Sequence, residues 1–505
     1  MNNFIKTGLE RIDEANQIVA KNRVFIFSLI VLSILYVLPL ILANTYYIDD
    51  MSRTVWGYGW NHDGRYISSG IMHLLSFQSD VVYSLYPYSM MISSIILTVS
   101  GFIVSYSLGV RQRIGLFFGS FLLTSCPFLL EIMTYRFDCI PISLSIFCIV
   151  LPFLFFNKKK VFFILSIIGL FLSFGLYQTT TLSYCIILCF FLIKEIWNEQ
   201  YKRGSLSILW SVGAFVIAFF GYKISLNILD LESITDGGRA EFIFKDENFS
   251  SLIKERYYGL KGLVTPLITS SYRFVLYILI IFNLLSLVIY FRNHQKKIFN
   301  KQLFIKLILI TAIIGFIAIC TASVNMFVYE QRWVPRAMIG WGITAYLLFF
   351  PLLLSGRLSK YFVRLALVPF MFYSFLLSSQ FGMYLKNQDE FSDYIINLMS
   401  PKLLEHGRLK VVVKGVNKTA YRNISVNHNT MPFIYKLAPI YERNSWYWGI
   451  VRLNKFDNIS SEYVGGEERD KILENIEGYP IVDSNIYYSL RIKDGIAIID
   501  FDKEE

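Results

Sequence analysis

The chain has 505 residues, of which 54% are hydrophobic, 17% aromatic and only 17% charged, and its mean hydropathy is +0.48. Charge this sparse, with 44 Phe and 33 Tyr, excludes both a soluble domain and a disordered chain and leaves a polytopic membrane protein. The formal net charge of +11 invites a nucleic-acid partner, but the basic residues sit mainly in short segments between apolar runs, where they set membrane orientation, so no nucleic acid is expected.

Residues 1–23 are polar, with Ile5, Leu9, Ile12, Ala15 and Ile18 at helical spacing, and predict a cytoplasmic amphipathic segment. The apolar run 24–43 is long enough for a full crossing, and no small-residue cleavage site follows it. Beyond it, Tyr66 to Phe77 places Ile67, Ile71, Leu74 and Leu75 on one face, which reads either as a helix in the interface plane or as an extension of the next helix. Further apolar runs at 84–108, 114–130, 138–156, 161–177, 179–193, 206–228, 273–291, 303–321, 337–354 and 361–382 bring the expectation to about eleven transmembrane helices. Runs 161–177 and 179–193 predict a tight hairpin around Gln178.

Alternate connections are short and basic: Arg111 and Arg113, Lys158 to Lys160, Lys202 and Arg203, Lys296 and Lys297, Arg357 and Lys360. With the N-terminus inside, these are the cytoplasmic loops, and 44–82, 229–272 and 321–336 are the long outer ones. After Gly382 the composition turns soluble. A helix over Asp389 to Leu398 and strands at 409–413, 487–492 and 495–501 predict a small α/β domain over 383–505, placed outside by the odd number of crossings. The six cysteines all lie in apolar stretches without zinc-ligand spacing, so neither a disulfide framework nor a zinc site is expected. No Walker A or Rossmann glycine pattern occurs, so no nucleotide cofactor is expected.

Chemistry concentrates in the first outer loop, where Asp49 and Asp50 adjoin Arg53, Trp56, Tyr58, Trp60 and Arg65. Carboxylates beside a bilayer are costly to desolvate and usually meet water, a cation or a substrate. One of the pair is a candidate general base, the other an orienter or cation ligand; the alternative is a helix N-cap and a solvated charge. Glu131, Arg136 and Asp138 bracket a second outer turn, as a local salt bridge or as acids facing the same cavity. Gln178 offers a donor and an acceptor to a sugar hydroxyl. Arg332 and Arg336 stand where a lipid-borne phosphate would present its charge, or serve as interfacial anchors. His62 and His73 are weaker metal-ligand candidates.

The first-loop string of two Asp, Arg53, Trp56-Gly57-Tyr58, Trp60 and Gly64-Arg65 resembles the bacterial and bacteriophage serotype-converting O-antigen glucosyltransferases of the type II family. Tyr177-Gln178, and Pro335-Arg336 entering a helix with Gly340, look like that family too. The resemblance covers most of residues 24–382 and is weak over 383–505. It implies a GT-C-like glycosyltransferase in the bacterial inner membrane, moving a hexose, typically glucose, from a polyprenyl-phosphate donor to a lipid-linked or nascent surface glycan. A separate donor-synthesising enzyme and a donor flippase are implied partners. Metal dependence stays open, with Asp49 and Asp50 as ligands for a divalent cation such as Mg or Mn. Two other readings share the compartment: a flippase of lipid-linked saccharide, which calls for ionisable groups at the bilayer midplane, and an O-antigen-type polymerase, which calls for a large catalytic outer loop such as 229–272.

Overall fold

The structure is a computed structural model that describes residues 22–231, 241–294, 301–322, 324–354, 359–444, 446–455 and 461–502. The expected N-terminal surface helix and the Asp236 to Arg239 stretch lie outside the described residues. The architecture is mostly helical, and each of the eleven apolar runs falls on helix. In chain order these helices are α1 (Arg23–Ala43), then two short ones, α2 (Asp49–Trp56) and α3 (Tyr66–Ser76), followed by α4 (Tyr88–Ser107) and α5 (Arg113–Thr124). Next come α6 (Cys139–Val150), α7 (Lys159–Leu176), α8 (Thr181–Trp197) and α9 (Tyr201–Ile228). The remainder are α10 (Phe249–Thr269), α11 (Tyr272–His294), α12 (Lys301–Thr321), α13 (Ile339–Leu354) and the 46-residue α14 (Ser359–Leu404).

The count of eleven crossings is not carried over. Among the described residues, seven helices are long and apolar enough to cross a membrane, or nine if two bent pairs each count as one span. One bent pair joins α5 to the 3-10 turns at Pro127–Thr134 across 54°, and the other joins α10 to α11 across 84°. The run at 138–156 is a shorter apolar helix, Cys139–Phe155. The hairpin around Gln178 exists in connectivity but not in packing: α7 lies against α9, while α8 lies against α12.

Helix α3 is separate, closed by Phe77 at φ 53, so it does not extend α4. Its protein-facing side is Ser68, Ser69, Met72 and Ser76, while Leu74, Leu75 and Phe77 point outward. Small polar residues pack inward and apolar ones face outward, as a lipid environment favours.

The composition shift at Gly382 has no counterpart in the backbone, because α14 runs unbroken from the bundle into the tail. The tail holds a five-stranded sheet of β1 (Leu409–Lys414), β2 (Ser461–Tyr463), β3 (Ile481–Ser484), β4 (Ser489–Lys493) and β5 (Ile496–Asp500), in the order β2-β1-β5-β4-β3. The β1 strand pairs parallel with β2 and β5, and the other pairings are antiparallel. Ile395, Ile396, Met399 and Leu403 of α14 cover one face, and Ile472 of α18 (Gly466–Glu474) covers the other. Between β1 and β2 lie α15 (Tyr421–Thr430), α16 (Ile434–Leu437) and α17 (Tyr447–Leu453). This insertion is divided between two cores: Ile450 and Leu453 of α17 pack into the tail's own core. Met431, Phe433, Ile434, Leu437 and Tyr441 join the core of the helical bundle, with Phe433 edge-on to Phe128 at 5.1 Å.

Candidate active site

The first loop is folded by Arg136. Its Nε donates to the Thr45 carbonyl at 3.2 Å and its Nη2 to Asn44 Oδ1 at 2.9 Å, while the guanidinium lies between the Tyr46 and Tyr86 rings at 3.9 and 4.2 Å. No carboxylate side chain pairs with it among the described residues; carbonyls and ring faces hold this buried cation. The chain then turns at Ile48, which has φ 47 and ψ −109, and α2 begins at Asp49. Successive helical residues diverge by about 100°, so the two aspartates cannot share an environment.

Asp50 is fully buried. Its Oδ2 accepts the Arg136 N–H at 2.9 Å, and its Oδ1 has no partner among the described residues. Burial pushes its carboxyl up to about 8, against the lowering effect of the Arg136 N–H bond, with the Asp138 charge adding to the rise. Asp49 is only partly buried, and its carboxylate accepts no hydrogen bond among the described residues. Burial and the Asp138 charge lift it above the ordinary carboxylate value, against the pull of Arg53, Arg336 and Arg65. It is therefore a partly exposed carboxylate, raised in basicity and within the field of three arginines.

Asp138 is the hub that fixes two of those arginines. Its Oδ2 accepts Arg53 Nη1 at 2.6 Å, and its Oδ1 accepts Trp60 Nε1 at 2.8 Å and Arg65 Nη1 at 3.2 Å. Burial raises the Asp138 carboxyl, but Arg53 and Arg65 outweigh it and leave it below the usual range, so it stays ionised. Arg53 lies over Trp60 at 4.2 Å and gives Nε to the Tyr58 carbonyl at 3.1 Å, and the Tyr58 hydroxyl meets Ser52 Oγ at 2.5 Å. Arg65 also reaches Asp63 at 2.7 Å.

Glu131 holds the third arginine. Its Oε1 accepts Arg336 Nη1 at 2.7 Å and the Tyr47 hydroxyl at 3.2 Å, and its Oε2 accepts the Arg336 backbone N–H at 2.6 Å. Arg336 Nη1 also bonds the Tyr135 hydroxyl, and its Nε and Nη2 make no hydrogen bond among the described residues. The sequence offered a local bridge within the 131–138 turn; the pairs instead cross the molecule to Arg53, Arg65 and Arg336. Gln178 Nε2 donates to the Asp63 carbonyl at 3.0 Å and to the Tyr222 hydroxyl at 3.2 Å, tying the first loop to α9.

Not every candidate converges. Trp56 is 74% exposed and points away. Arg332 is exposed, in a loop fastened by its backbone to Asn325. Among the described residues no group of three or more His, Cys, Asp or Glu side chains comes together as a metal set, and one Asp50 oxygen is already on the Arg136 amide. The donor set present does not fit a divalent-cation site held by Asp49 and Asp50.

Residues 38–378 match the family described as Glucosyl transferase GtrII. The chain belongs to the GtrII family. The matched segment of this GtrII protein contains every residue of the cluster, from Asp49 to Arg336, and ends before the tail. The chain is also 25% identical over 211 residues to a Salmonella phage P22 protein described as an uncharacterized 55.3 kDa protein in the gtrB 5′ region. The shared stretch is 40% of this chain and 42% of the phage protein, so the match spans less than half the length of that relative. No solved structure matches.

The sequence offered Arg136 only a local salt bridge and gave Tyr441 no role. Arg136 was visible beside Glu131, and its role became clear only through Asp50. Tyr441 bonds the first loop across 393 residues, and no local pattern signals such a pairing.

Proposed function

We propose that this GtrII protein is a GT-C-like membrane glucosyltransferase that moves glucose from a polyprenyl-phosphate donor, such as undecaprenyl-phosphate glucose, to an O-antigen or related surface glycan. It works at the outer face of the bacterial inner membrane, with the N-terminus cytoplasmic and the tail extracytoplasmic. A separate enzyme makes the donor, and a flippase delivers it. The family supports glucosyl transfer, and the partly exposed Asp49 carboxylate in the field of Arg53, Arg65 and Arg336 carries the assignment of the site.

The acceptor hydroxyl oxygen attacks the anomeric carbon, and Asp49 takes the hydroxyl proton. The bond from the anomeric carbon to the phosphate oxygen breaks, and its electron pair leaves with the polyprenyl phosphate. Arg336, whose Nε and Nη2 are left over from Glu131 and Tyr135, meets the departing phosphate, and Arg65 borders the same space. Inversion at the anomeric carbon follows from a single displacement. Burial keeps the base more basic than a solvated carboxylate, which suits proton abstraction near neutral pH.

The test is transfer by the purified full chain from polyprenyl-phosphate glucose to lipid-linked glycan, read by mass spectrometry. Asp49→Asn should lower kcat by about 10²-fold or more. The acid limb of the wild-type pH–rate profile should fall above 3.8, the ordinary value for this group, with activity rising as Asp49 ionises. Undiminished transfer by Asp49→Asn would overturn the assignment. Translocation of lipid-linked saccharide without transfer would establish the flippase reading instead.

A further inference from the structure

We propose that Tyr441, contributed by the tail, is a positioning residue for the Asp49 base; the inference rests on the glucosyltransferase reading above. The Tyr441 hydroxyl accepts the Ile48 backbone N–H at 3.2 Å and donates to the Tyr46 carbonyl at 3.2 Å. It thus grips the chain on both sides of Tyr47, and one of its two bonds is to Ile48, the residue directly before the base. Ile48 has φ 47, a value a β-branched residue rarely adopts, so the turn needs outside support. Relaxation of Ile48 towards negative φ would rotate the start of α2, and Asp49, its first residue, would turn with it.

The hydroxyl is itself held firmly. The Tyr441 ring is buried and stacks on Trp446 at 5.6 Å. The next residue, Glu442, accepts from Ser392 at 3.0 Å and Asn417 at 3.3 Å, and Arg452 binds Asp389 at 2.7 Å and Asp393 at 3.1 Å. A second strut runs alongside, from the Tyr47 hydroxyl to the Leu437 carbonyl at 2.5 Å. Helix α17 packs against α2, so the tail braces the helix that begins with the base. Tyr441 holds the backbone of the turn and Leu437 holds the Tyr47 side chain, and neither bonds the Asp49 carboxylate.

The experiment compares Tyr441→Phe with wild type in the full chain, alone and in an Ile48→Gly background. Glycine holds positive φ without strain, so the turn then needs less support. Tyr441→Phe should lower kcat about tenfold or more while KM for donor and acceptor stays within about twofold, because geometry rather than binding is lost. It should also move the acid limb of the pH–rate profile, which reports the surroundings of Asp49. In the Ile48→Gly background the same substitution should cost less, giving a coupling between the two sites. An unchanged kcat and acid limb in Tyr441→Phe would overturn the inference, as would an equal loss in both backgrounds. If Ile48→Gly is itself inactive, the acid limb of Tyr441→Phe decides. Activity retained by Asp49→Asn would instead sink the underlying assignment of the base, so the two failures are distinguishable.

Discussion

Asp49 and Asp50 differ by one position and by almost everything else. Helical geometry turns Asp50 into the protein, where its carboxyl rises to about 8 and is neutral at pH 7. Asp49 stays only partly buried. The folded state therefore holds a proton on Asp50 that the unfolded chain, with its ordinary value of 3.8, has released. Unfolding releases that proton between those two values, so the contribution is fully present below 3.8 and is lost as pH rises towards 8. The slope is up to about 1.4 kcal/mol per pH unit. Asp50→Asn removes the titration while keeping an oxygen for the Arg136 N–H. In melting experiments in detergent, wild type should lose stability relative to Asp50→Asn between pH 5 and pH 8. A pH-independent difference between the two would mean that Asp50 is ionised in the folded protein. Asp138 shows the opposite solution to burial: two arginines and the Trp60 N–H keep its charge.

Among the elements, the helices meet through glycines that admit a neighbour's backbone. A Cβ on Gly101 of α4 would come 2.3 Å from the Ser120 carbonyl oxygen of α5 and 2.8 Å from the Tyr346 hydroxyl of α13. Gly101→Val should force these three helices apart at a cost of about 1–3 kcal/mol, read as a lower melting temperature. Gly70 of α3 has nothing within 4 Å, so Gly70→Ala should hold or raise the melting temperature, by up to about 1 kcal/mol in helix propensity. A fall for both would place the Gly101 effect outside helix packing. The helices themselves were legible because uninterrupted apolar runs leave the backbone few other ways to satisfy its polar groups. Their breaks were less so. The run 114–130 reads as one helix, yet it yields to 3-10 turns at Pro127, which supply Glu131. The α10 segment reads as loop because Lys254, Glu255, Arg256 and Lys261 dilute its apolar pattern. In α3 the serines lie off the apolar face marked by Ile67, Ile71, Leu74 and Leu75, yet Ser68, Ser69 and Ser76 face protein. Periodicity shows that a helix has two faces, and the surrounding solvent decides which of them is inside.

At the scale of the whole molecule, the site draws on the ends of helices far apart in sequence: the C-terminal ends of α1 and α7, the N-terminal ends of α6 and α13, and the tail. The first-loop string was visible in the sequence, as was the acidic turn. What joins them to each other and to the tail spans 73 to 393 residues and was not. The tail is the least expected participant, because its composition suggests an appended domain. Phe433 and Leu437 nevertheless belong to the core of the bundle, and Tyr441 supports the turn before Asp49. A chain ending at Leu404 would uncover that core, at about 1.5–3 kcal/mol for each large apolar side chain removed. It would also release the Tyr46–Ile48 turn. Such a truncation should melt at a lower temperature than the full chain and lose glucosyl transfer altogether. An appended domain that merely recruits acceptor would give a different pattern: an intact melting temperature and a raised KM for glycan, with kcat preserved at saturation. Measuring melting and saturation kinetics on the truncated chain separates the two, because only a tail built into the core couples stability to kcat.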